Sequence, residues 1–490
     1  MQSSAKKRVR RRCEPPPPTP PVDPPGPVLD PEVFSALPRD ALGHVFSLLP
    51  IKDSVRAGAV CRGFRHSWRH SRVLDFDQEF VVGLSWREQV DVINRVMTRH
   101  VGKEVRCFKL WKFDAGDVEE DLRRWIRIAT AKKVEEIDLD FAQTARHTKF
   151  LHNCLDIKSL KVLKLFSCEV DFRRPLRGLQ VLKTLVLNRV LIDEDVIDTI
   201  IGHCSHLETL ELTFIRNLRQ FKVLASDGSH LRVLKLSTCP EILRIILDVP
   251  TLTTFHYYGK LPELSLRNLT RLKDAVLIFI PPKGYLDHSL IKKNILPSVT
   301  RVEALTINST FLEGISPKIE EDGRICGQKY KFENLVELQI HLDQGTYCNT
   351  HDITSFILKC PKLERLFIDF DYCSFESGVY WELHQKLEVE RSPALVSLKM
   401  VKLMNVRFQK HQADLMKFLT TKAAKLERMA IFVPKWDRAS PTTKEFCIPA
   451  TGSCYDEFYK TLKLTSAEKF ITYNQAEDDS KLQPLHSNWP

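Results

Sequence analysis

A short apolar motif that returns along most of the chain constrains the fold more than any other feature. The motif is apolar-x-x-apolar-x-apolar, and it occurs about thirteen times at steps of roughly twenty to thirty-three residues. The units begin at Val105, Val134, Leu160, Leu182, Leu207, Leu231, Leu252, Leu272, Val302, Leu335, Leu363, Leu395 and Leu426. Such a period predicts a stack in which each unit supplies one short strand to a shared core.

The spacing resembles that of leucine-rich repeats, and two units carry more of that signature. The units LKVLKLFSC and LRVLKLSTC end in Cys168 and Cys239. A thiol at this position can bond the backbone where the strand turns, which predicts a structural role for both cysteines. Cys204 and Cys360 each lie three residues before the first leucine of a unit and are interpreted in the same way. The predicted fold class is α/β, with an irregular leucine-rich-repeat solenoid.

Two short helical patterns precede the repeats. In LPRDALGHVFSLLP, the residues Leu42, Val45, Phe46 and Leu49 follow the spacing of one helical face, with a proline near each end. Asp53 is a candidate N-cap for a second helix, whose apolar positions continue through SVRAGAVCRGFRHSW. The segment is too short to form a core alone. Its apolar face is therefore expected to pack on the rest of the chain or on another protein.

The same segment resembles the F-box of plant proteins. The resemblance lies in the order Leu-Pro, helix, Leu-Leu-Pro, Asp-Ser-Val-Arg and Val-Cys-Arg-x-Phe-Arg-x-x-Trp, followed by Leu-Asp-Phe at 74–76. It implies a three-helix module that binds the Skp-type adaptor of a cullin-based ubiquitin ligase. Carried over position by position, the implied adaptor contacts are Leu37, Pro38, Leu42, Val45, Phe46, Leu49, Val60, Cys61 and Trp68.

A second resemblance lies near the C-terminus, where residues 391–434 are similar to the FBD region of plant F-box proteins. In that region a strand is followed by a polar link, a helix and a Leu-Glu-x-Met strand. Here the helix would carry Leu415 and Phe418, and the last strand would carry Leu426 and Met429. Together the two resemblances identify the chain as a member of the plant F-box proteins with leucine-rich repeats.

The predicted domain organisation has six parts. They are a disordered basic and proline-rich tail (1–32), the F-box (33–76), the leucine-rich-repeat domain (77–390), the FBD-like region (391–434), a capping segment (435–472) and a flexible tail (473–490). The capping segment is expected to contain a helix, because Tyr455, Phe458, Tyr459 and Leu462 have helical spacing and the stack needs a covered end. The last residues are expected to fray.

The positive charge is concentrated at the N-terminus. The formal net charge is +11, and six of these charges lie in one cluster, formed by Lys6, Lys7, Arg8, Arg10, Arg11 and Arg12. Such a cluster is typical of a nuclear-localisation signal or of a solvated tail. The prolines that follow predict an extended spacer. The rest of the chain is only mildly basic, so no nucleic-acid partner is expected, and the predicted location is the nucleus, the cytoplasm or both.

The sequence gives no sign of a membrane or of an oxidising compartment. It contains no uninterrupted apolar run of about eighteen residues, and its basic start continues into prolines rather than into a signal-peptide core. The 13 cysteines are scattered over the 490 residues, which favours reduced thiols over a disulfide framework.

The motifs of common enzymes are also missing. There is no phosphate-binding glycine loop, no dinucleotide fingerprint, no H-E-x-x-H and no G-x-S-x-G. His341, Cys348, His351 and Cys360 lie near one another in sequence, but their spacing matches no ordinary zinc framework. We therefore expect no metal, no cofactor and no catalysis.

The predicted function is substrate recognition within an SCF-type cullin ubiquitin ligase, with a target protein bound by the repeats. Side chains that alternate with the core leucines are expected to face the target on the concave side of the stack. The candidates are Lys164, Glu211, Lys235, Gln339 and Lys399. Two alternatives stay open, namely a receptor for a hormone or an inositol phosphate and a nuclear interaction scaffold without a ligase role.

Overall fold

The repeated strands pair edge to edge, because each strand leaves unpaired N–H and C=O groups that the next unit can satisfy. In the part of the chain that the structure describes, fifteen parallel strands form one continuous sheet. The computed structural model describes residues 37–59, 62–113, 119–141, 148–151, 157–171, 178–224, 230–280, 290–315, 330–342, 347–348, 350–370, 374–375, 394–407, 410–433, 470–474 and 482–487.

The strands are numbered in chain order. In spatial order, the main sheet consists of β1 (Val73–Phe76), β2 (Cys107–Phe113), β3 (Glu136–Phe141), β5 (Val162–Phe166), β7 (Thr184–Asn188), β8 (Thr209–Thr213), β10 (Val233–Ser237), β12 (Thr254–Lys260), β14 (Asp274–Ile280), β15 (Ala304–Asn308), β16 (Glu337–His341), β18 (Arg365–Asp369), β20 (Met400–Met404), β21 (Arg428–Val433) and β22 (Phe470–Asn474). Smaller parallel sheets pair β9 (Gln220–Leu224), β11 (Arg244–Asp248) and β13 (Glu263–Arg267), then β4 (Thr148–Leu151) with β6 (Cys168–Asp171), and β17 (Tyr347–Cys348) with β19 (Ser374–Phe375).

The helices lie between the strands along the chain. The α-helices of the described residues are α1 (Arg39–Phe46), α2 (Ile51–Ala57), α3 (Gln78–Val81), α4 (Trp86–Arg99), α5 (Glu119–Ala131), α6 (Glu194–His203), α7 (Leu296–Val299), α8 (Ser309–Ile315), α9 (Thr350–Ile357) and α10 (Lys410–Lys422). Short 3₁₀ helices span Arg62–Phe64 and Ser67–His70, and a π-helix spans Ile291–Ile295. No helix in these ranges has both the length and the apolar character that crossing a membrane requires.

The core lies on one side of the main sheet, as the alternation of apolar residues predicts. In β5, for example, Leu163 and Leu165 are buried while Lys164 between them is partly exposed. Each of the predicted repeat units coincides with one strand of this sheet, and the predicted α/β solenoid is confirmed. We call the side of the sheet that points away from this leucine core the open face.

Helices α4 and α5 cover the core side near the N-terminal edge of the sheet. Helix α4 begins at a capping box, in which the Ser85 hydroxyl accepts from the Glu88 N–H and the Glu88 carboxylate accepts from the Ser85 N–H. The two helices are tied together where Trp125 Nε1 donates to Asn94 Oδ1 over 2.7 Å. The Trp125 ring is fully buried and meets Phe113 edge to face.

The predicted F-box is divided between two structures. Its helical part is formed by α1, α2 and the two 3₁₀ helices, which take the place of a third α-helix. Leu74, Asp75 and Phe76 form β1, the first strand of the main sheet, and Leu74 pairs with Phe108 of β2. The buried side chains of Leu74 and Phe76 belong to the repeat core, so the last residues of the predicted F-box form the first strand of the main sheet.

The C-terminal part continues the same sheet. Strand β18 pairs with β20, and β20 pairs with β21, so the sheet shows no break at the predicted start of an FBD-like region at 391. Strand β22 pairs with β21 at the far edge. The predicted helix around Tyr455 and the whole basic tail, 1–32, lie outside the described residues.

The predicted flexible tail over 473–490 is wrong for residues 482–487. These residues lie on the open face of the sheet, where Leu482 and His486 are both buried. The contact joins residues far apart in sequence, which a pattern of polar residues near a terminus cannot indicate.

Candidate protein-binding surfaces

Helix α1 has an inner and an outer apolar side. On the inner side, Leu42 and Phe46 are buried, and the Phe46 ring meets Phe64 edge to face with 5.5 Å between the ring centroids. The Ser54 hydroxyl donates to the Phe46 carbonyl over 2.9 Å and holds α2 against the end of α1. Trp68 is buried in the same core.

Three of the predicted adaptor contacts are thereby corrected. Leu42, Phe46 and Trp68 pack within the chain and are not accessible to a partner in this arrangement. Helical periodicity identifies an apolar side but not how much of it the chain itself covers. Val60 and Cys61 were also predicted to be contacts, and both lie outside the described residues.

The outer side of α1 is exposed. Leu37, Val45 and Leu49 are each more than a third exposed, and Leu48, which the sequence analysis did not select, is 74% exposed. Pro38 is exposed beside them. We call these five residues the F-box patch. Single exposed apolar side chains are common, but several on one short helix and its flanks are typical of an interaction surface.

An apolar groove lies next to the F-box helices, between α2, α3 and α4. Its volume is about 310 Å³, and its lining is formed by Ile51, Lys52, Val55, Arg56, Phe80, Val82, Leu84, Val92 and Val96. Val55 and Val82 are both strongly exposed. The groove adds apolar surface at the junction of the F-box helices with the repeat domain.

His100 holds this junction together from inside. Its Nε2 donates to the Ser71 carbonyl over 2.8 Å, and Lys132 Nζ lies 2.8 Å from its Nδ1. The same ammonium donates to the carbonyls of His100 and Gly102. Burial lowers the pKa of His100 to about 4, and the charges of Lys132 and His70 act in the same direction, while the bond to Ser71 opposes them.

The N-terminal half of the open face carries a row of alternating charges, which is interrupted at Val186 of β7. Lys109, Asp138 and Lys164 are register neighbours on β2, β3 and β5, and Glu211 and Lys235 are neighbours on β8 and β10. Lys164 Nζ lies 3.4 Å from the Asp138 carboxylate, and Lys235 Nζ lies 3.0 Å from the Glu211 carboxylate. Burial raises the pKa of Asp138, although Lys164 and Lys109 act against it. We call this row the charge ladder.

The predicted target-binding residues fall in different places. Lys164, Glu211 and Lys235 lie on the charge ladder and are partly exposed. Lys399 precedes β20 and forms an ion pair of 2.9 Å with Glu364. Gln339 is buried and accepts a hydrogen bond from Thr306 Oγ1, so it is not on a free surface.

Three side chains that the sequence analysis missed meet on the C-terminal half of the open face. His256 Nε2 donates to Asp274 Oδ2 over 3.1 Å, and His486 Nε2 donates to Asp274 Oδ1 over 2.8 Å. Burial acts to raise the pKa of Asp274, but the two histidine bonds outweigh it and hold this pKa well below its ordinary value. Burial lowers the pKa of His256. No spacing rule could have found a group whose members lie on β12, on β14 and near the C-terminus.

The same group is the one set of possible metal ligands among the described residues. Its ligand atoms lie within 4.8 Å of one another. Two imidazole nitrogens and one carboxylate oxygen suit zinc. In this arrangement the carboxylate accepts a hydrogen bond from each imidazole, so both of its oxygens are satisfied within the protein.

The cysteines that the sequence analysis interpreted as structural are all buried. Burial raises the pKa of Cys204 to about 12 and that of Cys239 to about 11, and it raises the pKa values of Cys168 and Cys360 further. Cys239 Sγ also lies 3.9 Å from the Leu212 carbonyl on the neighbouring strand. Because a thiolate is the reactive form, these thiols are unsuited to nucleophilic catalysis.

Comparison with known proteins agrees with an F-box followed by leucine-rich repeats. The family model for the LRR domain of At1g61320/AtMIF1 matches residues 96–474, and the F-box domain model matches residues 34–76. Three relatives from Arabidopsis thaliana extend the comparison. The putative FBD-associated F-box protein At1g61330 is 30% identical over 412 residues, which cover 82% of this chain and 92% of the relative.

The FBD-associated F-box protein At1g61320 is 30% identical over 407 residues, which cover 81% of this chain and 88% of that relative. The putative F-box/LRR-repeat protein At3g18150 is 24% identical over 297 residues, which cover 58% of this chain and 61% of that relative.

The repeat match passes through 391–434 without interruption, in agreement with the continuous sheet. An F-box joined to leucine-rich repeats supports, in general terms, a substrate-adaptor role in an SCF-type ligase and the binding of a Skp-type adaptor, and proteins of this kind are typically not catalytic. The chain belongs to the F-box proteins that carry the At1g61320/AtMIF1 type of leucine-rich-repeat domain.

Proposed function

We propose that the chain binds a Skp-type adaptor through the F-box patch, reaches a cullin through that adaptor, and holds a target protein for ubiquitin transfer on the open face of its repeats. The observation that carries the proposal is the division of α1 into a buried inner side and an exposed outer side. The inner side stabilises the helix, which leaves the outer side free for a partner.

The energy available from the F-box patch is sufficient for a specific interface. Burying one exposed Val or Leu side chain contributes about 1.5–3 kcal/mol. Val45 lies in the last turn of α1, and Leu48 and Leu49 lie in the turn that follows it, so an adaptor could cover all three together. Each loss of about 1.4 kcal/mol weakens binding tenfold.

The decisive experiment replaces Val45 and Leu49 with lysine in the full chain. Val45 lies in the last turn of α1, where a lysine interacts favourably with the helix dipole, and Leu49 lies in the exposed link between α1 and α2. The double variant should therefore keep α1 while removing apolar contact. We expect the affinity for a purified Skp-type adaptor to fall at least a hundredfold, with an unchanged circular dichroism spectrum. The measurement is isothermal titration calorimetry, supported by co-purification.

The matched control is Leu243→Lys, which places the same charge on a leucine that is 68% exposed and lies just before β11. Its adaptor affinity should equal that of the unsubstituted chain. Unchanged binding by the Val45/Leu49 double variant would contradict the proposed docking surface. It would leave a nuclear scaffold without a ligase role as the better interpretation.

The charge ladder favours a protein target over an inositol phosphate. A polyphosphate needs an excess of cations that are free to bind it. On the ladder, Lys109, Lys164 and Lys235 each lie within 3.6 Å of a carboxylate of the protein itself. Partly exposed side chains of both charges suit the polar contacts that a protein surface makes.

A further inference from the structure

Residues 482–487, which we call the C-terminal segment, lie across the strands of the open face rather than along them. Leu482 meets β18 and β21, Gln483 bonds to β18, Leu485 bonds to β16, and His486 lies against β12, β14 and β15. The segment therefore crosses the sheet from its C-terminal edge towards its middle.

Two side chains anchor the C-terminal segment. Leu482 is buried against Phe367, Ala430 and Phe432, with Met400 and Met404 packed at the border of this pocket. At the other end, the His486 ring is buried, donates to Asp274, lies 2.7 Å from Thr306 Oγ1 through its Nδ1, and meets the His256 ring edge to face. One pocket is apolar and the other recognises an imidazole, and the two anchors are four residues apart.

Between the anchors, the sheet contacts the backbone of the segment. The Leu485 N–H donates to Glu337 Oε1 over 2.6 Å. Arg365 Nη2 donates to the Gln483 carbonyl over 2.5 Å, and Lys402 Nζ donates to the Leu482 carbonyl over 2.8 Å. The side chains of Gln483 and Leu485 are exposed. Backbone bonds combined with two side-chain pockets are the way in which proteins recognise extended peptides.

The carboxylates that contact the C-terminal segment keep a partner within the sheet when the segment leaves. Glu337 pairs with Arg365 over 2.8 Å, and Asp274 keeps its bond to His256, so removal of the segment leaves both carboxylates with a partner. Water can replace the lost bonds on a face that then becomes open. Release of the segment is therefore compatible with a folded sheet.

We propose that the open face from β12 to β21 is a peptide-binding site, that the C-terminal segment occupies it within the chain, and that its partner is an extended peptide of a target protein. The partner peptide carries an apolar side chain and, four residues later, a histidine. The inference deepens the proposed target recognition and rests on it, because it identifies the kind of peptide that the open face accepts.

The tether makes the C-terminal segment a competitor for such a peptide. Only residues 475–481 separate the end of β22 from Leu482, and a short tether gives an effective concentration of the order of millimolar. A target peptide must displace the segment, so weak peptides are excluded and a matching one is selected.

The test uses the full chain with Leu482→Asp and His486→Asp, which places a carboxylate in the apolar pocket and another beside Asp274. The probe is a fluorescein-labelled peptide with the sequence of residues 481–490, KLQPLHSNWP, and the readout is fluorescence polarisation. We expect saturable binding to this released variant and at least tenfold weaker binding to the unsubstituted chain. Probes with alanine in place of the leucine that corresponds to Leu482, or of the histidine, should bind the released variant at least tenfold more weakly.

The matched control is Ser487→Ala, which changes an exposed side chain at the end of the segment and should bind the probe as poorly as the unsubstituted chain. If the released variant fails to fold by circular dichroism, His486→Ala alone provides the same comparison. A folded variant that does not bind the probe would overturn the proposal, as would equal binding to the unsubstituted chain. Adaptor affinity, measured on the same samples, tests the F-box patch separately, so failure of one surface is distinguishable from failure of the other.

Discussion

Phe46→Ala is expected to cost about 3–5 kcal/mol and to unfold the F-box helices locally, because it removes a buried aromatic ring and leaves a cavity. The Phe46 ring is 3% exposed and packs against Phe64. Few other buried apolar side chains hold this part together, chiefly Leu42, Ile51 and Trp68. Hydrogen exchange should show loss of protection across α1 and α2, while the strands of the main sheet keep theirs.

The comparison that isolates this effect is Leu48→Ala, a truncation on the exposed side of the same helix region. It should leave hydrogen exchange unchanged and should weaken adaptor binding on its own account. Phe46→Ala should also reduce adaptor binding, but through unfolding rather than through a lost contact. Full protection of α1 in the Phe46 variant would show that the inner side of the helix is not what stabilises it.

Acidification is expected to lower the free energy of unfolding by about 3 kcal/mol through His100, which holds the junction together. Its pKa is about 4 in the folded chain against 6.5 as the ordinary value, so the folded state favours the neutral ring. As the pH falls below 6.5, the unfolded chain takes up a proton that the folded chain does not, and stability is lost until the pH reaches about 4. The expected slope is about 1.4 kcal/mol per pH unit.

His100→Gln removes the titrating group and can still donate to Ser71. The free energy of unfolding from urea titrations should therefore fall less steeply between these pH values in the variant than in the unsubstituted chain. Leu243→Gln, which changes an exposed side chain without a titrating group, is the control and should leave the slope unchanged. Parallel slopes for the unsubstituted chain and His100→Gln would mean that His100 does not contribute to the acid sensitivity.

Local periodicity was sufficient to predict the repeats. Each apolar motif contains the residues that its strand buries, as Leu163 and Leu165 illustrate. The alternation of apolar residues in the sequence therefore matches the alternation of buried residues in the strand. Strand β1 was not predicted as a repeat, because Leu-Asp-Phe is too short to show a period. Strands β9, β11 and β13 were also missed. They lie between consecutive repeat motifs, where the pattern specifies no positions.

The surfaces were predicted less well than the core. The helical spacing of α1 groups Val45 with Phe46, although one is exposed and the other is buried, because the pattern does not contain the position of Phe64 or Trp68. The contact between His486 and Asp274 joins residues 212 positions apart. No local pattern indicates such a pair, and only the folded sheet brings it together.

Strand β1 connects the F-box helices directly to the main sheet. The Arg69 carbonyl accepts hydrogen bonds from the N–H groups of Val101 and Gly102, and the chain enters β1 at Val73, so the F-box helices are mounted on the first strand of the sheet without a linker. If the chain works in a ligase as proposed, this direct connection would act as a spacer of constant length. The lysines that receive ubiquitin would then be those that a bound target presents at one set distance from its attachment point, whatever their local sequence.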